Sequence, residues 1–76
     1  MMEQLIKAIV APLVEHPAQI ELQIREHDGI VTYSLSVHSD DKGKVIGKQG
    51  SVAKAIRTVV NAAASYRNQK VYVEIL

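Results

Sequence analysis

The sequence contains no cysteine, tryptophan or phenylalanine, and only three tyrosines among its 76 residues. The absence of cysteine excludes disulfide scaffolds, cysteine-based zinc sites and cysteine nucleophiles. The chain also lacks an uncharged stretch long enough to span a bilayer, and its N-terminus lacks the basic opening of a signal peptide. A chain this short can assemble only one small hydrophobic core. We therefore expect a single cytoplasmic domain that does not insert into a membrane.

Acidic residues are missing from the segment between Lys42 and Lys70, although the whole chain has a net charge of only +1. This segment holds seven of the nine basic residues, whereas the rest of the chain has only Lys7 and Arg25 against all eight acids. The segment therefore carries +7 and the remainder −6. Such asymmetry within one domain favours a side that faces a polyanion such as nucleic acid. A basic helix face exposed to solvent is the alternative explanation.

Hydrophobic periodicity predicts a helix and then a β-hairpin in the first half of the chain. Apolar residues at three- and four-residue spacing over 2–14 are typical of an amphipathic helix, which we expect to kink or end at Pro12. Alternating runs over 19–27 and 31–37 flank Asp28-Gly29, and both turn residues tolerate positive φ angles. These two runs therefore predict an antiparallel pair of strands.

Two helices are predicted between the hairpin and a last alternating run at 71–75, which we expect to be a third strand. The first helix is short, starting with the hydroxyl of Ser39 as its N-cap and ending by Gly47. The second runs from Ser51 to about Tyr66. The order helix, strand, strand, short helix, glycine loop, long helix, strand predicts an α+β domain with helices packed on one face of a three-stranded sheet.

The long helix has two apolar flanks. One flank, expected to face the core, consists of Val52, Ile56, Val59, Ala63 and Tyr66. The second flank is small enough for close helix–helix approach and consists of Ala53, Val60 and Ala64. This second flank either completes the core or forms a two-fold symmetric homodimer interface. Among the tyrosines, Tyr33 and Tyr66 are predicted to face the core, and Tyr72 to point away from the helices.

The segment from Gly43 to Gly50 is the best candidate for a binding site. It is not a Walker A loop, because only three residues separate Gly43 from Gly47 and Gln49 stands in place of the hydroxyl residue. It is not a dinucleotide fingerprint either, since Val45 occupies a required glycine position. A loop between two helices with a glycine at each end instead lets a phosphate backbone approach closely, next to unpaired N–H groups of the following helix. A tight turn with glycine caps is the alternative.

Three histidines, His16, His27 and His38, recur at an interval of 11 residues, which could suggest zinc. In the predicted hairpin His27 lies at the turn, while His16 and His38 lie near the other end. Three histidine ligands therefore cannot converge, and we predict neither a metal site nor a cofactor. A triad drawn from Ser39, His38 and Asp40 is also rejected, because neighbours in sequence cannot stack in the required order. The sequence predicts no enzyme.

The segment Val45-Ile46-Gly47-Lys48-Gln49-Gly50 resembles the signature of the KH domain, in which a GxxG loop clamps a short run of single-stranded nucleotides. The minimal KH unit would be residues 30–76, and the extra helix and strand in residues 1–29 resemble the type II arrangement. The whole chain, 1–76, with Ala53-Lys54-Ala55-Ile56-Arg57 after the loop, is similar to the bacterial KhpA family of stand-alone KH proteins.

This resemblance implies a cytoplasmic protein that binds single-stranded RNA and acts as an RNA chaperone or post-transcriptional regulator. It also implies a homodimer that pairs with a larger KH-domain protein, KhpB, and a link to cell-wall homeostasis and cell length. The predicted clamp consists of Gly47 and Gly50, with Lys48 and Gln49 on the phosphates and Val45 and Ile46 under the bases. The flanking residues of the predicted site are Lys44, Ser51, Lys54 and Arg57. A different class of function is a protein-interaction subunit of an RNA-binding complex, whose own RNA contact is minor.

Overall fold

The chain follows the predicted order of helices and strands in the computed structural model, which describes residues 2–76. Short 3₁₀ turns join the regular elements, and within the described residues no helix has the length and apolar content needed to cross a membrane. The elements are α1 (Met2–Val10), β1 (Glu21–His27), β2 (Ile30–Ser36), α2 (Lys42–Ile46), α3 (Ser51–Tyr66) and β3 (Lys70–Ile75).

Local sequence signals explain where helix α1 ends but not how helix α2 begins. Helix α1 stops at Val10, and Pro12 lies in a following 3₁₀ turn, because proline has no N–H to continue the helical ladder. The predicted short helix is instead divided into a 3₁₀ turn, Ser39–Asp41, and α2. The expected Ser39 cap is wrong: Nδ1 of His38 accepts the hydrogen bond from the Asp40 amide at 3.0 Å.

The sheet combines an antiparallel and a parallel pair around the central strand β2. Strands β1 and β2 pair from Glu21↔Ser36 to His27↔Ile30, and both residues of the intervening turn, Asp28-Gly29, have positive φ as predicted. Strand β3 pairs with β2 in parallel, beginning at Ile30↔Lys70. A parallel neighbour needs a long crossover connection, which α2, the glycine loop and α3 supply.

One face of this sheet is covered by helices and the other is open. Tyr33 and Leu35 on β2 and Val73 on β3 are buried against the helices, as alternation along the strands requires. Tyr72, on the opposite face, is 54% exposed, which agrees with its prediction. The core cluster comprises Met2, Ile6, Val10, Tyr33, Leu35, Val37, Val45, Ile56, Val60, Ala64 and Val73.

A polar chain ties the three strands together on the open face. Arg25 of β1 donates to the Ser34 hydroxyl of β2 at 3.1 Å, and that hydroxyl donates to Glu74 of β3 at 3.1 Å. Arg25 and Glu74 also form an ion pair at 3.5 Å. Ser34 is thereby buried with its hydroxyl satisfied. Polar contacts therefore join the strands on the open face, whereas apolar side chains pack against the helices on the other face.

Helix α3 is rolled relative to its predicted orientation. The predicted dimer flank is buried: Ala53 is 6%, Val60 0% and Ala64 2% exposed. By contrast, Val59 is 47% and Tyr66 94% exposed, so both were wrongly assigned to the core flank. The roll amounts to about 80° at 100° per residue. Because α3 packs against α1, α2 and β3, its small alanines face these neighbours and permit close approach.

Candidate nucleic-acid interface

The loop Gly47-Lys48-Gln49-Gly50 turns the chain sharply between α2 and α3. Gly47 has φ 75° and ψ 179°, a region that only glycine adopts without strain, and its amide still caps α2 by donating to Gly43 at 2.9 Å. A Cβ atom on Gly47 would lie 2.8 Å from the backbone nitrogen of Val52. Gly47 is therefore required both by its dihedral angles and by the close approach of α3.

The second half of the loop is also left-handed but is not crowded. Gln49 has φ 55° and Gly50 has φ 77°. A Cβ atom on Gly50 would meet nothing within 4 Å. Gly50 is the N-cap of α3 and provides no side-chain acceptor, and the amide of Ser51, the first residue of that helix, donates to the Lys48 carbonyl. This end of the loop has the chemistry of an anion-binding site.

Three basic or polar side chains extend from the loop and the first turn of α3 into solvent. Lys48, Gln49 and Lys54 are exposed, and within residues 2–76 none of the three forms a side-chain hydrogen bond or ion pair. Ser51, the first residue of α3, is exposed beside them. Positive charge and hydrogen-bond donors are thus collected on one side of the loop, where a phosphate can reach them.

Two of the predicted flanking cations are held by partners within the chain. The Lys44 ammonium lies 3.0 Å from the Glu15 carboxylate and 3.6 Å from that of Asp41. The hydrogen bond to Glu15 raises the pKa of Lys44, against the opposing effect of burial. Arg57 donates from Nε to the backbone carbonyl of Val73 at 3.1 Å, which joins α3 to β3. Both side chains brace the elements that carry the loop.

Of Val45 and Ile46, the two apolar residues predicted to lie under the bases, only Ile46 is exposed. Val45 is fully buried in the core, so the expectation that its side chain lies under a base is corrected. Ile46 is 39% exposed next to the loop and can contact a ligand. The residues that share exposed surface around the loop, called the GxxG surface below, are Ile46, Gly47, Lys48, Gln49, Gly50, Ser51 and Lys54.

Asp41 positions α2 and was not among the predicted site residues. Its side chain is fully buried and its two carboxylate oxygens accept the amides of Glu15 at 3.1 Å and His16 at 3.0 Å. Burial raises the pKa of Asp41, but these hydrogen bonds and the charge of Lys44 outweigh that effect and hold the pKa below its ordinary value. The one sequence signal was the spacing of three between Asp41 and Lys44, which permits an ion pair on a helix.

Comparison with known sequences identifies relatives along the whole chain. The family model described as "KhpA/KhpB, KH domain" matches residues 3–75. A protein named RNA-binding protein KhpA from Listeria monocytogenes is 51% identical over 75 residues, which is 99% of either chain. Proteins of the same name from Bacillus subtilis and Clostridium acetobutylicum are 53% and 44% identical, covering 97% and 99% of this chain and 91% and 100% of their own length.

Two solved structures of the protein Era share the architecture. Aquifex aeolicus Era bound to GDP·AlF4⁻ matches with a TM-score of 0.69 and 21% identity, over 97% of this chain and 29% of the Era chain. Era in complex with MgGDPNP and a segment of 16S ribosomal RNA matches with a TM-score of 0.70 and 21% identity, over 97% of this chain and 28% of the Era chain. This likeness concerns the fold alone. Together with the family match it confirms the predicted α+β, KH-like arrangement.

Proposed function

The chain belongs to the KhpA/KhpB KH-domain family, and on this basis we propose that it binds single-stranded RNA through the GxxG surface. The curated relatives carry the name RNA-binding protein. The observation that carries the proposal is the loop itself, in which Gly47 packs against the start of α3, while Lys48 and Gln49 are exposed and have no side-chain partner among residues 2–76. We assign residues 30–76 as the minimal KH unit and residues 1–29 as its extension.

In this proposal the loop grips the RNA backbone and the neighbouring residues hold it in place. The glycines let a phosphate reach the loop amides and the uncapped N-terminus of α3. Lys48 and Lys54 supply the attraction to the phosphates, and Ile46 supplies an apolar contact to a base. Lys44 and Arg57 contribute by holding the elements that carry the loop rather than by direct contact, because each already has a partner. No catalytic step is part of this proposal.

The decisive experiment reverses charge at the tip of the loop. In the double variant Lys48→Asp/Gln49→Asp, two carboxylates replace a cation and an amide where the phosphates are expected to lie. Because both side chains are exposed, the stability should change by no more than about 0.5 kcal/mol per site. The affinity for a short single-stranded RNA should fall at least tenfold, measured by fluorescence anisotropy beside a thermal melt of the same sample.

The chain offers a matched control for this variant. Gln69 and Lys70 are the same two residue types, both exposed, at the other end of α3. Sixteen helical residues, about 24 Å, separate the two sites. Gln69→Asp/Lys70→Asp should leave most of the affinity intact. An equal loss in both variants would show that net charge alone attracts RNA, and unchanged affinity of the folded loop variant would favour a protein-interaction subunit.

Self-association and pairing with a larger KhpB-type protein belong to the same proposal, as does a role as RNA chaperone or post-transcriptional regulator linked to cell-wall homeostasis and cell length. These roles are supported by family resemblance. Burial of Ala53, Val60 and Ala64 removes the flank first expected to form the homodimer. Another face of α3 is apolar and open to solvent: Ala55, Val59, Ala62 and Tyr66 are exposed at spacings of four, three and four, and Val52, at the start of this face, is partly buried against the core. We assign the homodimer to this exposed stripe.

Substitutions at two neighbouring valines, Val59 and Val60, distinguish the assigned interface from the core. Val59→Glu, on the exposed stripe, should give a folded monomer in analytical ultracentrifugation, because a charge disrupts an apolar interface without entering the core. Val60→Glu should unfold the protein, since burying an unpaired carboxylate costs about 4 kcal/mol or more. A Val59→Glu protein that sediments as a dimer would contradict the assigned interface.

A further inference from the structure

Two histidines that are distant in sequence lie side by side near the end of β2 opposite the hairpin turn. The imidazole rings of His16 and His38 stack, with centroids 4.1 Å apart and planes inclined by 27°. The Asp40 carboxylate lies beside both rings, 4.0 Å from Nε2 of His16 and 3.6 Å from Nδ1 of His38. One donor atom from each of the three residues lies within 4.8 Å of the other two.

The backbone around this cluster is fixed by hydrogen bonds within the chain. The buried carboxylate of Asp41 accepts the His16 amide at 3.0 Å, and the Asp41 amide donates to the His38 carbonyl at 2.8 Å. Asp40 donates its own amide to Nδ1 of His38 at 3.0 Å. The segments that carry the three side chains are therefore held together before any ligand arrives, which lowers the entropic cost of binding one.

We propose that His16, His38 and Asp40 form a binding site for a zinc ion. Zinc takes imidazole nitrogen and carboxylate oxygen at about 2.0–2.2 Å, which places tetrahedral donor atoms about 3.3 Å apart. The observed carboxylate–imidazole separations are 3.6 and 4.0 Å and all three donor atoms lie within 4.8 Å of one another, so an ion would draw them closer and rotate the two rings out of their stacked arrangement until both nitrogens face it. Three protein ligands leave the fourth position to water.

The donor set and its accessibility select this class of ion. Magnesium and calcium prefer sites built from oxygen alone, and copper(I) prefers sulfur, whereas two imidazoles with one carboxylate suit zinc and the related ions copper(II), nickel(II) and iron(II). The His16, His38 and Asp40 side chains are 40%, 32% and 73% exposed, so an ion can reach them from solvent. Metal ligation through Nδ1 of His38 would displace the Asp40 amide, and the Lys44 ammonium lies nearby, against Asp41. Both effects lower the affinity of the site for zinc.

The interval of 11 residues between the histidines does not report this cluster. The three histidines cannot converge, as expected, because His27 lies at the hairpin turn and pairs with Asp28 at 3.2 Å. The third donor of the cluster is Asp40 instead, which the 3₁₀ turn after His38 brings next to the rings. The prediction that the chain lacks a metal site rested on the three histidines taken together. The combination of His16 and His38 with Asp40 was not part of it.

Isothermal titration of the full chain, without a histidine tag, with zinc chloride tests the proposal. We expect one zinc ion per chain and at least tenfold weaker binding in His16→Ala and in His38→Ala. His27→Ala is the matched control and should bind as the parent does, because its histidine–aspartate pair lacks a second imidazole. Equal weakening by His27→Ala, or several weak sites per chain, would overturn the site.

A second measurement keeps the test independent of folding in the variants. In the unmodified protein, zinc should shift the imidazole NMR signals of His16 and His38 and leave those of His27 unchanged. Asp40→Asn removes the carboxylate at a position that is 73% exposed, so it should fold normally and bind zinc several-fold more weakly. Signals of His16 and His38 that do not respond to zinc would refute the proposal outright.

Discussion

On the α2 side of the GxxG loop, Asp41 and Lys44 are held by partners within the chain, whereas Lys48 and Gln49 of the loop and Lys54 in the first turn of α3 point into solvent. Asp41 is buried and fully hydrogen-bonded, Lys44 is paired with Glu15, and Gly47 is pressed against Val52. Gly50 has open space around it, and within the described residues Lys54 has no side-chain partner. Basic residues close together in sequence therefore differ in their surroundings: Lys44 and Arg57 hold elements of the fold together, whereas Lys54 is exposed.

The largest expected effect distinguishes the two glycines. Gly47→Ala forces a side chain into a glycine-only region and against the backbone of α3, so we expect a loss of about 3 kcal/mol of folding stability. Gly50→Ala meets no atoms and should lose only about 1 kcal/mol, the cost of a left-handed alanine. Urea unfolding measures both. Similar losses at the two positions would mean that Gly47 is not crowded in solution.

The next effect tests the buried carboxylate that supports α2. Asp41→Ala leaves two backbone amides without an acceptor and Lys44 without one of its partners, so the melting temperature should fall by about 10 °C. The neighbouring Asp40→Ala is the control, measured in zinc-free buffer, and should change the melting temperature little because that side chain is 73% exposed. Two equal melting temperatures would remove Asp41 from its supporting role.

The smallest effect distinguishes Lys54 from Lys44 by the salt dependence of the affinity for RNA. If the protein neutralises about three phosphates, log K for single-stranded RNA should fall with log salt with a slope near −2. Lys54→Gln should reduce that slope by about 0.7 and weaken binding several-fold. Lys44→Gln should leave the slope unchanged, because Glu15 and Asp41 already neutralise this lysine. An anisotropy titration over a salt series decides, and an equal loss of slope would show that Lys44 turns toward the RNA.

Local signals explain what the sequence could predict. The hairpin rests on two alternating runs and a turn dipeptide, all within neighbouring residues, and it forms with the expected turn. The bounds of α3 and the stop at Pro12 also follow from adjacent residues. The glycine loop belongs to the same class, since glycine spacing and flanking basic residues lie within one short segment.

Contacts between distant segments explain what the sequence could not predict. The periodicity of α3 allowed two apolar flanks, and only packing against α1, α2 and β3 selects the one with Ala53 and Ala64. Lys44 finds its partner Glu15 in a connection far back in the sequence, and Asp41 accepts amides from that same connection. No periodicity reports such pairs, because each depends on how the chain crosses itself.

The parallel register between β2 and β3 also sets the order in which the molecule can be completed during folding. The hairpin closes over two turn residues, whereas Ile30 meets Lys70 only after the whole crossover has been laid across the sheet. Contacts of such long sequence separation form late. The GxxG loop lies inside that crossover, and Arg57 anchors α3 to the Val73 carbonyl of the last strand. A chain that has formed only the hairpin therefore lacks a positioned GxxG loop, and the pairing of β3 with β2 completes the arrangement.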